Sequence, residues 1–160
     1  MKVLFLDVDG VLNSVAFFSA RPPRPNASPR NDIDSAALHR LCDTIKRAGC
    51  PVVISSSWRT GEPHLSAITN ALAEHGVEVF GVTGTESYKR GLCVRGVEVQ
   101  CWLDDHPEVD RYVIVDDDSD FVSHQRPWFI QTCQSVGLTD ADCLNIERLF
   151  EIAAAQEPKP

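Results

Sequence analysis

Residues 1–13 read MKVLFLDVDGVLN, and four apolar residues, Val3 to Leu6, run straight into Asp7, Val8, Asp9 and Gly10. An unbroken apolar run bounded by a turn signal describes a strand buried on both faces, as in the middle of a parallel sheet. Asp7 and Asp9 then sit just past the carboxyl end of that strand, the edge at which open α/β sheets bind ligands. Two carboxylates held close together repel, so at neutral pH they need a shared proton or a cation. The pair is a candidate metal site.

Strand and helix patterns alternate through the rest of the chain. Pro51 to Ile54, Val77 to Phe80, Arg111 to Val115 and Trp128 to Thr132 are short apolar runs that read as further strands. The first of these ends in Ser55, Ser56, Ser57, Trp58 and Arg59, and the third in Asp116, Asp117, Asp118, Ser119 and Asp120. Asp34 and Ser35 are candidate caps for a helix with Leu38, Leu41 and Ile45 inward, stopped by Gly49. Pro63 opens a second helix with Leu65, Ile68 and Leu72 inward, ended by Gly76. Residues 81–94 read as loop, and a short helix from about Gly96 to Leu103 is expected to present Val97 and Cys101 on one face, with Arg95 at its amino end. Thr139 and Asp142 form a capping-box pattern before a last helix with Cys143, Ile146, Phe150 and Ala153 inward.

A length of 160 residues, 43% of them hydrophobic, fits one domain over residues 1–155 with a frayed tail at 156–160. Residues 14–34 form an excursion from that domain, and its segment Arg21 to Arg30 holds four prolines that exclude helix. The net charge of −8 provides no global basic field for a long nucleic acid or an anionic membrane. Lys2 precedes only four apolar residues before Asp7, too few for a signal-peptide core, so a cytoplasmic location is expected. The six cysteines contain no CxxC pair and read as reduced core residues rather than disulfides or a zinc site.

Two acidic strand ends matter only if they meet, and in a parallel sheet with right-handed crossovers neighbouring strands bring their carboxyl ends to one edge. Oxygen ligands of that kind suit Mg2+. An EF-hand is excluded, because counting from Asp7 puts Leu12 at the glycine position, and counting from Asp116 puts Pro127 at the bidentate position. No glycine-rich turn followed by Lys and Ser or Thr is present, so there is no P-loop.

DVDGVLN resembles the first motif, DxDGxx, of the haloacid dehalogenase superfamily of aspartate-nucleophile phosphotransferases. VVISSSW resembles the second, with Ser55 at the matching position and Ser56 beside it; VIVDDDSD resembles the fourth, with Asp116 and Asp117 as the acidic pair and Asp120 as a further ligand candidate. The third motif, a lone cation at a helix start, has Arg95 as the preferred match over Lys89 and Arg90. ISSSWR with RGVEVQCWL is most similar to a small capless branch associated with nucleic-acid repair proteins. The resemblance implies a three-layer, Rossmann-like α/β fold: a mainly parallel sheet, helices on both faces and no separate cap domain.

Each residue type in these motifs suits a step of phosphoryl transfer. A carboxylate can attack a phosphoryl group in line and give an aspartyl-phosphate that water hydrolyses; Asp7 is the candidate nucleophile. Asp9 is the candidate acid for the leaving oxygen and base for the water. Asp7, Asp9 (through its backbone carbonyl), Asp116 and either Asp117 or Asp120 are the candidate Mg2+ ligands. Ser55, Ser56 and Arg95 or Lys89 are the candidate phosphate-binding groups. In the superfamily's logic an acid at position 9 favours a phosphatase or mutase, and the absence of room for a folded cap favours the phosphatase.

The expected activity is therefore Mg2+-dependent phosphomonoester hydrolysis on a nucleotide or a phosphorylated nucleic-acid end. Trp58 and Arg59 are candidate rim groups for stacking a base. The arginine-bearing loop Arg21 to Arg30 is a further candidate. Hydrolysis of another phosphorylated metabolite, a receiver-like signalling module and a silent phosphate- or metal-binding module are the alternatives. Release of phosphate from a generic phosphomonoester separates the first of these from the other two.

Overall fold

The computed structural model describes residues 1–21, 32–85 and 94–155. Five strands form one sheet in the order β3-β2-β1-β4-β5: β1 Lys2–Leu6, β2 Val52–Ile54, β3 Val79–Val82, β4 Arg111–Asp116 and β5 Phe129–Gln131. Every pairing between them is parallel. β1 is central because its residues Val3 to Leu6 are apolar on both faces and can be buried only there.

Among the described residues there are five α-helices: α1 Val15–Ser19, α2 Ser35–Ala48, α3 His64–Glu74, α4 Arg95–Asp104 and α5 Asp140–Ala155. The chain steps from β1 through α2 and α3 towards β3, then reverses to β4 on the other side of β1. Right-handed crossovers put helices on opposite faces when the direction reverses. Accordingly Leu4, Leu6 and Ile54 pack with Leu38, Leu41 and Ile45 of α2, Ile68 and Leu72 of α3, and Ile146 and Phe150 of α5. Each such fully buried aliphatic side chain contributes about 1.5–3 kcal/mol. On the opposite face Val3, Phe5, Val53 and Ile114 pack with Val99 and Trp102 of α4. The Trp102 ring meets Phe5 edge-on at 5.3 Å. Among the described residues there is no separate cap domain, and no helix is long and apolar enough to cross a membrane.

The helix ends follow their sequence signals. Asp34 caps α2 by accepting the Ala36 N–H at 2.9 Å, and Gly49 closes it in a left-handed conformation at φ 64°. Thr139 and Asp142 form the reciprocal box expected of them, with the Asp142 carboxylate accepting the Thr139 N–H at 2.8 Å. Pro63 lies one residue before α3 rather than inside it.

Three expectations are corrected. α4 buries Gly96, Glu98, Val99 and Trp102, whereas Val97 and Cys101 are exposed. Docking Trp102 onto Phe5 fixes the rotation of the helix, and a glutamate within the buried face hides that face from an apolar pattern. Gly81 and Val82 belong to β3 rather than to a loop, and Asp116 completes β4. The cysteines are unpaired among the described residues, but only Cys42, Cys50 and Cys143 are core residues, Cys101 and Cys133 being exposed. Burial pushes the Cys42 and Cys50 thiols up to about 11, which keeps them unreactive. Lys89, Arg90, Cys93, residues 22–31 of the proline-rich loop, the tail 156–160 and the side chain of Ala153 lie outside the described residues.

Candidate active site

Strand register builds the site. Leu6 pairs with Ile54 on one side and with Val115 on the other. One step further the edge stays in register, with the Asp7 N–H donating to Val115 O at 3.0 Å and the Ser55 N–H to Leu6 O at 2.8 Å. Asp7, Ser55 and Asp116 therefore stand side by side at strand spacing of about 4.8 Å. Side chains alternate along a strand, and Val3, Phe5, Val53 and Ile114 already face α4. Asp7, Ser55 and Asp116 continue that series, so the amino end of α4 can reach them.

Arg95, the first residue of α4, does so. Its Nη2 lies 3.7 Å from Asp7 Oδ1, its Nε 3.6 Å from Asp116 Oδ2 and its Nη1 3.5 Å from Glu98 Oε2. The side chain is 20% exposed, open to the crevice. The helix end is docked by contacts the sequence did not announce. Gly96 fits because a Cβ there would stand 2.6 Å from Gln125 Oε1, and the fully buried Gln125 amide donates to Gly96 O at 2.8 Å.

One carboxylate oxygen each of Asp7, Asp116 and Asp117 lies within 4.8 Å of the other two. Burial pushes Asp7 up to about 7, opposed chiefly by the Arg95 charge and a hydrogen bond from the Ser56 hydroxyl. Burial and then the Asp7 charge push Asp116 up to about 8. Asp117 is also raised, by burial and then by Asp118. Hard oxygen donors packed closely enough to repress each other's ionisation fit a divalent cation such as Mg2+. Asp120 is not a member of this cluster; its Oδ2 accepts the Arg95 backbone N–H at 2.7 Å and so caps α4. It positions the cation-bearing helix, and Asp117 rather than Asp120 completes the acidic triad.

Asp9 is exposed to the crevice, unlike Asp7. Its two oxygens are held separately, Oδ1 by the Asn13 amide at 2.8 Å and Oδ2 by the Trp58 indole N–H at 2.9 Å. Those contacts keep the Asp9 side chain out of the triad and aim it at the space beside Asp7. They also correct the reading of Trp58 as a stacking platform. Trp58 is 5% exposed and packed in the core against α3, so no open ring face is offered to a base. Arg59 is likewise no rim group, its side chain being 4% exposed and bonded to Glu98 and to the carbonyls of Ser56, Thr83 and Gly84. Burial first, and then the Arg95 charge, lower its pKa, while Glu98 opposes the shift. Arg21 lies over the Phe17 ring at 4.1 Å and pairs with Asp32. The Ser55 hydroxyl is buried with no hydrogen-bond partner, beside Asp7, as a donor reserved for an incoming oxygen would be.

Gly10 is required by this packing. It adopts φ 72°, and a Cβ there would lie 2.3 Å from Asp117 Cγ. Thr132 Oγ1 further pins its carbonyl at 2.9 Å. Gly10→Ala is expected to add backbone strain of about 1–3 kcal/mol and to displace Asp117. A fall in melting temperature of roughly 2–12 °C is the expected result, at roughly 2–4 °C per kcal/mol for a chain of this size. An unchanged melting temperature would contradict the close approach of Gly10 and Asp117.

The raised carboxyls give a second expected outcome. Between the ordinary Asp range and pH 8 the folded metal-free protein holds protons that the unfolded chain has released, so its stability falls as pH rises through that window. A divalent cation needs the deprotonated ligands, so its stabilisation grows as pH rises. Mg2+ at ~100 times its Kd adds about 2.7 kcal/mol, roughly 5–10 °C at this chain length. That shift is expected at pH 8 and is largely lost at pH 5. Equal shifts in thermal melts at both pH values would show that the ion does not bind at these acids.

A family model described as the HAD domain in Swiss Army Knife RNA repair proteins matches residues 3–143, a span that includes Asp7, Asp9, Ser55, Arg95, Asp116 and Asp117. No curated protein and no solved structure is significantly similar to the chain. With the parallel sheet in place and the acids gathered at its carboxyl edge, the chain belongs to the HAD superfamily, in the family of HAD domains of Swiss Army Knife RNA repair proteins.

Proposed function

We propose that this protein is a Mg2+-dependent phosphomonoesterase that works through an aspartyl-phosphate on Asp7 and acts on a nucleotide or a phosphorylated nucleic-acid end. HAD domains as a class are phosphatase-type hydrolases. The observation that carries the reading is Asp7 at the end of β1, gathered with Asp116 and Asp117 within 4.8 Å and faced by Arg95 at 3.7 Å.

A bound Mg2+ would be held by Asp7, Asp116 and Asp117 and would supply charge neutralisation between anionic nucleophile and anionic substrate. The remaining chemistry belongs to the side chains. Arg95, the Ser55 hydroxyl and backbone N–H groups around Ser56 bind the phosphoryl oxygens. An Asp7 oxygen bonds to phosphorus as the ester P–O bond breaks, and protonated Asp9 gives its proton to the leaving alkoxide. Asp9, now ionised, takes a proton from water as that water attacks phosphorus, and the acyl-phosphate bond breaks to free Asp7 and inorganic phosphate.

The substrate reading draws on the family's description, which names RNA repair. The net charge of −8 restricts recognition to a few phosphates at a strand end rather than a long duplex. The burial of Trp58 and Arg59 favours the second reading, a small phosphorylated metabolite, by removing two base-binding candidates from the rim. A panel of end-phosphorylated oligonucleotides, mononucleotides and sugar phosphates, assayed with Mg2+ and after chelation, tests both. Faster release of phosphate from oligonucleotide ends or nucleotides, abolished by chelation, is expected. A preference for sugar phosphates rejects the nucleic-acid reading, and no release from any substrate rejects the phosphatase.

A further inference from the structure

The amino end of α4 is tied to one stretch of chain, residues 120–125, which begins three residues after Asp117, the last of the acidic triad. A helix leaves its first N–H groups without internal partners, and here a single residue takes up two of them. The Arg95 N–H donates to Asp120 Oδ2 at 2.7 Å and the Gly96 N–H to Asp120 O at 3.1 Å. Gln125 completes the clasp. Its Nε2 donates to Gly96 O at 2.8 Å, and its Oε1 accepts the Val122 N–H at 3.2 Å. The Gln125 side chain is fully buried, and an amide buried that completely is tolerated only when its donor and acceptor are both bonded. Glycine at position 96 permits the close approach, since a Cβ there would lie 2.7 Å from Val122 N and 2.8 Å from Phe121 Cα.

The Arg95 guanidinium is also attracted at its far end, where Glu98, Asp116 and Asp7 stand at 3.5, 3.6 and 3.7 Å. None of these contacts reaches the 2.7–2.9 Å of a charge-assisted hydrogen bond. They orient the side chain without fixing the backbone from which it starts. The clasp fixes that backbone, and misplacing a substrate-binding group by about 1 Å can cost roughly 100-fold in rate.

We propose that Gln125 is a positioning residue for Arg95: by clamping Gly96 against residues 120–125 it sets the reach of the Arg95 guanidinium towards Asp7, and with it the affinity of the site for a phosphoryl group. The inference rests on the reading of Arg95 as the phosphate-facing cation. Gln125 touches neither substrate nor metal in this role.

The probe is inorganic phosphate, read as a competitive inhibitor of the hydrolysis of a generic phosphomonoester and, without turnover, as a thermal shift in Mg2+. Gln125→Met keeps the length of the side chain and removes both amide bonds. It is expected to weaken phosphate binding about tenfold, and Arg95→Ala about 10-fold to 100-fold, the range for lost hydrogen bonds to a charged group. Adding Gln125→Met to Arg95→Ala should cost no more than about twofold further, because two residues that act through one group are not additive. A residue that only holds the fold together would cost the same in both backgrounds. The Mg2+-induced shift at pH 8 without phosphate should match wild type in Gln125→Met, since Asp7, Asp116 and Asp117 stand at the ends of β1 and β4.

Equal losses from Gln125→Met with and without the Arg95 side chain overturn the proposal. So does a Gln125→Met that binds phosphate as wild type does, because the ion pairs then place the guanidinium unaided. Loss of the Mg2+ shift together with phosphate affinity overturns it as well. Should Gln125→Met fail to fold, Gln125→Asn, whose amide is one methylene shorter, takes its place in the same cycle; failure of both to fold makes Gln125 a folding residue, and the proposal is wrong. A wild-type protein that neither binds phosphate nor hydrolyses the ester removes the phosphatase reading and this inference together. An active wild type whose Arg95→Ala variant binds phosphate normally removes only the inference.

Discussion

Asp7→Asn is expected to abolish phosphomonoester turnover, by roughly 10,000-fold or more, the scale seen when a covalent nucleophile is removed. An amide oxygen does not attack phosphorus, and no other carboxylate among the described residues has the same place. Asp116 and Asp117 belong to the triad that faces a cation, and Asp9 is tethered by Asn13 and Trp58. The fold should survive. Burial pushes Asp7 up towards its neutral form, so a neutral isostere relieves a desolvation cost rather than creating one. In chelator at pH 8 the variant is expected to melt at or above the wild-type temperature. Near-normal turnover by Asp7→Asn would place the nucleophile elsewhere; a variant that is both inactive and unfolded would show that Asp7 is structural.

Asp9→Asn should slow both half-reactions by ~100-fold to 10,000-fold, the usual worth of general acid–base catalysis. The amide keeps one acceptor oxygen, enough for Asn13 or Trp58 but not both, and can neither protonate a leaving alkoxide nor deprotonate water. Trp58→Phe provides a graded companion, since it keeps most of the buried ring and removes only the indole donor to Asp9 Oδ2. Its loss should be smaller, about tenfold in kcat with little change in KM, as expected for one hydrogen bond to a charged group. An Asp9→Asn rate equal to wild type over the whole pH range would remove Asp9 from the acid–base role. A Trp58→Phe effect confined to KM for nucleotides would revive Trp58 as a base-binding group.

The local, repetitive signals could be read directly from the chain. The apolar run Val3 to Leu6 identified the central strand, since a strand buried on both faces has no polar alternation to preserve. The acids at the ends of β1 and β4 could be placed together because right-handed crossovers leave few ways to arrange the strands. Caps such as Asp34 and Thr139 with Asp142 depend on neighbours a few residues away, and they appear where the sequence puts them.

What the sequence determined by itself was the order of the elements, the central position of β1 and the acidic carboxyl edge, because periodicity and short-range hydrogen bonding carry that information. Tertiary structure decided how each side chain is used. The rotation of α4 came from Trp102 seating on Phe5, and it carried Glu98 into a buried face that an apolar pattern leaves out. Trp58 and Arg59 lie next to the second motif in sequence, yet partners 49 and 39 residues away hold them inside the protein. Asp117 and Asp120 were equivalent on paper until Gly10 packed against one and the amino end of α4 claimed the other. The physical reason is the same in each case: a buried polar group must find a hydrogen-bond partner, and the partner is set by packing between elements distant in the chain.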